Sequence, residues 1–463
     1  MKKIWLFVLL LTTTIQSASL AQAGDPFNWT APIKVEANDV FLLWGDKAGG
    51  MYKSYQKVYK YKIDSTTLPV NSRISKSPRH VDNRTQPSSP AYMDIATGKF
   101  TVGPYENVVA IWKGQSGIQI LIPQFDSTEA MWTDTVQATL GGIWQDRAYV
   151  RTGDFDGDGL DEFVVAAVGD VAETEGRIYF YVFDVDSLLR PTLVTTYHAE
   201  TLADVFSYQY NNYFIDAGDL NGDGRDEIIL QAINGSIGNS VWSIYVKIYE
   251  VEQDTIISKI KKTIQQPEIP YVEGINIAVS CGQFKNDQKD EIAFVSVLRE
   301  GFSPIGPFEN IAYIYLLESS SDLQEIFFDE SKRKIRPLPT PSSLYNQLSL
   351  SSGDLNNDGR DEVVFSSGVG NYVYATDDSL NLYAKATINA AEGGGFDFLQ
   401  SYNYLKVADV NLDDHEDIVV VKNFVSTELP DGFFVAMISA NDDLTQLNVI
   451  GRFFGDEPPV LHV

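Results

Sequence analysis

Asp154, Asp156, Asp158 and Glu162 stand at positions 1, 3, 5 and 9 of a short stretch that follows Gly153. A tight loop turns every second residue inward, so these four carboxylates can converge on one point. Gly159 at position 6 can take the left-handed backbone that such a turn requires. The carbonyl of Leu160 at position 7 offers one more oxygen. Hard oxygens at irregular geometry suit calcium, which takes about six to eight of them, better than magnesium, which demands a regular octahedron. Without a cation, carboxylates packed this closely repel one another.

The arrangement recurs. Asp219, Asn221, Asp223, the Arg225 carbonyl and Glu227 form a second set behind Gly218. Asp354, Asn356, Asp358, the Arg360 carbonyl and Glu362 form a third behind Gly353. Asp409, Asn411, Asp413, the His415 carbonyl and Asp417 form a fourth behind Ala408, with Asp414 in place of the position-6 glycine. Two decayed copies keep the frame and lose the acids. One opens at Gly282 and has Gln283 and Lys285 where acids are needed. The other opens at Gly98 and has Lys99 and Thr101. Neither is expected to bind metal, so four calcium ions are expected in all. An EF-hand starts with the same spacing but needs a glutamate at position 12 between helices. Val165, Leu230 and Phe365 stand there instead, between strand-like runs. The reading without metal is a set of Asx-turns; fourfold recurrence favours the cation.

The copies start at 98, 153, 218, 282, 353 and 408, at spacings of 55, 65, 64, 71 and 55 residues. Between them the pattern alternates with a period of two, as in Arg177–Phe183, Ser243–Tyr249 and Ile311–Leu316. Each unit holds about four short strands, the content of one propeller blade. The chain resembles the FG-GAP/VCBS repeat family, which includes the propeller domains of integrin α-subunits, and the resemblance spans nearly all of residues 24–463. It implies an all-β propeller of four-stranded antiparallel blades, and six units plus a composite of the two chain ends make seven blades. It also implies that each acidic loop joins the first and second strands of a blade. Val40–Trp44 and Val58–Ile63 read as second and third strands without a first. Val460–Val463 falls where first strands fall, so the two ends are expected to close the ring in one blade. The competing reading is a longer protein cut at a blade boundary.

The chain has 35 Lys+Arg against 63 Asp+Glu, a net charge of −28. That excludes a general affinity for nucleic acid, which rests on basic patches, and fits a holder of cations. Lys2 and Lys3, the apolar run Ile4–Leu11 and the Ala21-Gln22-Ala23 site read as a signal peptide over residues 1–23. Export to the periplasm, cell surface or medium follows, with no transmembrane segment and a monomeric protein expected. Cys281 is the one cysteine, so no intrachain disulfide can form, and it reads as a packing residue. The basic run Lys332–Arg336 reads as a solvated loop.

Walker A, G-x-S-x-G and H-E-x-x-H motifs are absent, and no catalytic residue is assigned. Aromatic side chains crowd the connections expected on the face opposite the acidic loops. They are Phe206, Tyr208, Tyr210 and Tyr213; Phe302 and Phe308; and Phe396 and Phe398. Exposed aromatics suit stacking on sugars or contact with protein, and their bland alternative is packing between blades. The sequence thus favours an exported calcium-binding module for a glycan or protein ligand. A polysaccharide-active lyase or hydrolase on the same scaffold stays open, as does a segment of a larger surface or toxin assembly.

Overall fold

The structure is a computed structural model of the 463-residue chain. It describes residues 39–47, 54–62, 74–76, 80–82, 93–102, 106–114, 117–123, 137–141, 148–172, 175–203, 213–235, 242–264, 271–285, 287–301, 308–328, 334–338, 348–367, 372–376, 380, 382–387, 403–409, 415–424 and 432–455. The signal segment and the C-terminal residues 456–463 lie outside them.

Every element among the described residues is a strand, and no helix there is long and apolar enough to cross a membrane. The strands form successive antiparallel sheets, each built from consecutive strands. The first holds β1 (Asp39–Lys47), β2 (Ser54–Lys62), β3 (Ile74–Lys76) and β4 (His80–Asp82). The second holds β5 (Met93–Gly98), β6 (Asn107–Gly114), β7 (Gly117–Leu121) and β8 (Ala138–Gly141). The third holds β9 (Tyr149–Gly153), β10 (Glu162–Ala172), β11 (Glu175–Val185) and β12 (Pro191–Ala203). The fourth holds β13 (Tyr213–Gly218), β14 (Glu227–Gly235), β15 (Trp242–Glu252) and β16 (Thr255–Ile264). In the fifth, β17 (Tyr271–Gly282), β18 (Glu291–Gly301) and β19 (Phe308–Ser319) precede β20 (Ile326–Phe328) and β21 (Lys334–Leu338), which both pair with β19. The sixth holds β22 (Leu348–Gly353), β23 (Glu362–Ser367), β24 (Tyr372–Thr376) and β25 (Leu382–Thr387). The last holds β26 (Asn403–Ala408), β27 (Asp417–Phe424), β28 (Gly432–Ala440) and β29 (Leu447–Gly455). Part of the basic run therefore lies in a strand, because Lys334–Leu338 extends the outer edge beside β19 rather than forming a loop.

Sheets stack face to face. Phe163–Val168 of β10 are all buried, a continuous apolar run that only a strand covered on both faces tolerates. One core layer joins the second and third sheets, another the fifth and sixth, and another the sixth and seventh; a larger one runs through the third, fourth and fifth. The first strands lie side by side in chain order, β5 beside β9, then β13, β17, β22 and β26. Each is a sheet edge with open backbone N–H groups. Side chains of the preceding first strand cap several of them: Asp94 Oδ2 accepts from Val150 N at 3.0 Å, Asp216 Oδ2 from Cys281 N at 2.8 Å, and Ser349 Oγ from Leu405 N at 3.0 Å. Cys281 is half-buried, and burial with nearby Asp216 pushes its thiol up, away from nucleophilic use.

A turn between third and fourth strands repeats a feature the sequence pattern does not announce. Leu189, Leu323, Leu380 and Leu444 have φ of 58°, 54°, 58° and 53°, yet each is buried. The left-handed backbone costs a leucine about 1–2 kcal/mol, while burying its side chain returns about 1.5–3 kcal/mol. Burial wins. Replacing Leu323 with Ala is expected to cost about 2–5 kcal/mol. Asn suits the backbone better and is expected to be no less harmful. Chemical denaturation of both variants checks this, and an Asn variant as stable as wild type would show that backbone strain, not burial, governs the turn.

Candidate metal loops and the clasp between sheets

Each acidic stretch joins the first and second strands of its sheet: β9 to β10, β13 to β14, β22 to β23 and β26 to β27. Position 2 anchors it. Phe155, Leu220 and Leu355 are buried at the loop base, and so are Phe100 and Phe284 in the decayed copies. Positions 4 and 6 of the first three loops are left-handed. Gly157 and Gly159 have φ of 80° and 85°, Gly222 and Gly224 78° and 86°, and Asn357 and Gly359 58° and 84°.

Above this base the oxygens converge. Ligand atoms of Asp154, Asp156 and Glu162 lie within 4.8 Å of one another. Asp154 is oriented by its own loop: Oδ1 accepts from Gly157 N at 2.8 Å and Asp158 N at 3.0 Å, and Oδ2 from Gly159 N at 2.9 Å. Asp219 is held the same way by Gly222 N, Asp223 N and Gly224 N, and Asp354 by Asp358 N and Gly359 N. Asp158 Oδ1 accepts from Leu160 N at 2.8 Å. These are the Asx-turn bonds, and they organise the acids rather than replace a cation.

Position 9 is the deepest. Glu162, Glu227 and Glu362 are buried, and one oxygen of each accepts the position-2 amide at 2.9 Å. Burial, and the acids at positions 1 and 5 (joined by Asp156 in the first loop), push these carboxyls up to about 8. A buried acid among acids needs either a proton or a cation. The donor set of carboxylate, amide and carbonyl oxygens fits a hard divalent ion. In the fourth loop Asp409, His415 and Asp417 are described and Asp417 is buried; Asn411 and Asp413 lie outside the described residues.

The acid at position 8 does something else, and sequence reasoning missed it. Asp226 N donates to the Asp154 carbonyl at 2.9 Å, while Asp226 Oδ2 accepts from Asp154 N at 3.0 Å. Asp226 thus clasps the loop of the preceding sheet through both backbone groups of its position-1 residue. Asp290 clasps Asp219 at 2.9 and 3.2 Å, Asp361 clasps Gln283 at 2.9 Å twice, and Asp161 clasps Lys99 at 3.0 and 2.7 Å. Glu416 N reaches the Asp354 carbonyl at 3.4 Å. The clasp carboxylate also explains the loop-opening glycine: a Cβ on Gly153 would sit 2.7 Å from Asp226 Oδ2, and one on Gly218 would sit 2.6 Å from Asp290 Oδ2. The signal was visible, since Asp290 survives in the copy that lost its ligands. In that copy Lys285 Nζ pairs with Glu318, and Gln288 takes the left-handed position with φ of 65°.

Of the aromatic candidates, Phe206, Tyr208, Tyr210, Phe302, Phe396 and Phe398 lie outside the described residues, and so does the side chain of Phe308. Tyr213 is buried, edge-on to Tyr149, and belongs to the core rather than to a surface.

Residues 154–230, from position 1 of one loop to the second strand of the next sheet, match the family model for the FG-GAP-like repeat. This segment is an FG-GAP-like repeat. No curated protein sequence matches the chain. Among solved structures, the α-L-arabinofuranosidase Arb93A of Fusarium graminearum is 11% identical at a TM-score of 0.43, covering 76% of this chain and 94% of that one. The six-bladed fucose-recognising lectin of Aleuria aurantia is 9% identical at 0.41, covering 75% and 91%. A Synechocystis apocarotenoid oxygenase variant is 9% identical at 0.41, covering 94% and 97%. Likeness at this level assigns neither substrate nor ligand.

The clasp on Asp219 of the FG-GAP-like repeat can be isolated at Asp290, which lies beyond the matched segment and whose own loop lacks the acidic ligand set. Asp290→Ala leaves the Asp219 amide without its acceptor and is expected to cost about 1–3 kcal/mol. Asp290→Asn keeps an acceptor oxygen and should recover most of that. Gly218→Ala should destabilise through the same carboxylate. Thermal melts of the three variants check the set; a harmless Asp290→Ala would remove the clasp from the account.

Proposed function

We propose that the chain is an exported, calcium-stabilised seven-bladed β-propeller that serves as a binding module for a glycan or protein ligand. The convergence of Asp154, Asp156 and Glu162 carries the calcium reading, and the matching geometry around Asp219 and Asp354 supports it. The ion's role is structural. It neutralises a buried carboxyl and fixes the residue, Asp154 or Asp219, whose backbone the next sheet clasps. Ligand recognition is assigned to the opposite end of the sheets, where second strands pass to third and one sheet passes to the next.

Ring closure rests on two observations. The last first strand is near the early ones, since Lys406 on β26 is within electrostatic reach of Asp94, Arg151 and Asp216. Among the described residues the first sheet shows no inner strand. Its β3 and β4 pair with opposite ends of β2, so they share one position, and β1 packs on β5 as β6 packs on β9 and β14 on β17. Residues 460–463 are assigned to the vacant position. Truncation after Pro459 should then lower the melting temperature by several degrees; an unchanged melt refutes this closure.

Calorimetric titration of metal-free protein with calcium is expected to show four sites, and Asp156→Ala to remove one. Fewer than three sites overturns the reading. The pH dependence has a defined sign. In chelator, Glu162, Glu227 and Glu362 titrate near 8 when folded and near the ordinary glutamate value when unfolded. The folded state then holds more protons across that window, so stability falls as pH rises from about 5 to 8. Saturating calcium should abolish the fall. A glycan array tests the module: retention without cleavage supports it, whereas release of new sugar ends would make the protein an enzyme.

A further inference from the structure

The first three acidic loops differ in what their own side chains do for the acids. In the first, the acids have backbone donors alone. Among the described residues Glu162 receives only the Phe155 amide, Asp158 only the Leu160 amide and Asp156 only the Asp158 amide. Asp154 is held by the amides of its own loop. Position 7 is Leu160, which has no charge to offer. Lys99 Nζ, from the decayed copy, donates to the Gly159 carbonyl at 3.2 Å rather than to one of the four carboxylates.

The second and third loops supply donors of their own. Arg225 Nη2 donates to Asp223 Oδ2 at 2.9 Å and to Glu250 Oε1 at 3.0 Å, and Asn221 Nδ2 donates to Glu227 Oε1 at 2.9 Å. With the Leu220 amide on its other oxygen, Glu227 has both oxygens engaged. Arg360 Nη2 repeats the hold on Asp358 Oδ2 at 3.1 Å, joined by Asn356 Nδ2 at 3.4 Å. Arg225 is firmly placed. Its anchor Glu250 is buried on β15 and pairs also with Lys259. Its stem lies over the preceding loop, where a Cβ on Gly157 would sit 2.7 Å from Arg225 Cγ. The acids respond to this difference. Carboxylate oxygens of Asp154, Asp156 and Glu162 converge, whereas among the described residues no three acids of the second or third loop do.

We propose that Arg225 and Arg360 are internal competitors of the ion, so that the first loop is the high-affinity calcium site and the second and third are weaker sites that keep their shape without it. The inference rests on the calcium reading of these loops. Its physical cause is charge. A guanidinium held on a ligand carboxylate cancels part of the field that draws a dication, and it must loosen before both oxygens of Asp223 or Asp358 can turn to a metal. In the first loop no side chain relieves the repulsion among four carboxylates. The decayed copy at 282 carries the replacement further, since its position 3 is itself a cation, Lys285, paired with Glu318. Glu318 and Glu250 hold equivalent places, each following the third-strand residue that pairs with position 10, Leu317 with Ile292 and Tyr249 with Ile228. A third-strand acid thus anchors the substitute cation in both sheets.

The test follows amide hydrogen exchange in peptides covering residues 154–162, 219–227 and 354–362 while calcium is added to the metal-free full chain. Exchange in the first segment should slow at a calcium concentration about tenfold or more below that needed by the other two. This order of midpoints requires no variant to fold. Arg225→Leu should lower the concentration needed by 219–227 about tenfold, with a smaller effect on 154–162, and Arg225→Lys, which keeps the charge, should stay near wild type. One midpoint for all three segments, a first segment that responds last, or an unchanged 219–227 midpoint in Arg225→Leu overturns the proposal and leaves the calcium reading standing. A chain in which no segment responds overturns both. Thermal melts separate competition from plain support of the fold. Arg225→Leu should lower the melting temperature in chelator and lose less in saturating calcium; an equal loss in both overturns the proposal as well.

Discussion

The pair of hydrogen bonds that a position-8 carboxylate residue makes to the position-1 backbone of the preceding loop is the contact on which the other features turn. It joins residues 62 to 78 apart in sequence. It forces glycine at the loop opening, because a Cβ there would strike the clasp carboxylate. It also fixes where the loop can stand, since position 1 must present both its N–H and its carbonyl to the neighbour. Apolar layers between sheets supply most of the burial, but such layers are tolerant of sliding. A bidentate backbone contact is not, and it sets the angle and height of one sheet on the next.

The clasp explains why acidity is concentrated where it is. Positions 8 and 9 are adjacent, so their side chains point to opposite sides: one outward to the previous sheet, the other down into the base of its own loop. Burial pushes both kinds of acid up, Asp226 to about 7 and Glu227 to about 8. A chain that packs two such acids side by side in successive loops accumulates a cost that grows with each repeat. The proposed calcium offsets it at the position-9 end. The decayed copy at 282 reduces it differently, with Lys285 placed close enough to Glu291 to lower that carboxyl's rise.

The repeat frame was legible because its signal is dense: four oxygens at fixed spacing, four times over, in a β-rich background. The strands Arg177–Phe183, Ser243–Tyr249 and Ile311–Leu316 fall inside β11, β15 and β19 for the same reason, an unbroken period of two. What was not legible depends on partners far away in sequence. Asp161, Asp226 and Asp361 look like ordinary members of an acidic motif until their receiving backbone is seen. The buried left-handed leucines carry no glycine or asparagine to mark the turn. Arg225 looks like an ordinary solvated arginine until Glu250 of β15 is brought beside Asp223. The basic run was misread because charge suggests a solvated loop, whereas an outer edge strand is solvated too.

The central claim is that the ion and the clasp act as one unit, and residue-resolved amide hydrogen exchange tests it most directly. The amides of Asp154 and Asp219 donate to clasp carboxylates from loops that carry the full acidic set, whereas that of Gln283 does so from a loop that lacks it. Removing calcium should speed exchange at Asp154 and Asp219 by a large factor while Gln283 changes far less. Equal loosening at all three, or no change at Asp154 and Asp219, would contradict the account.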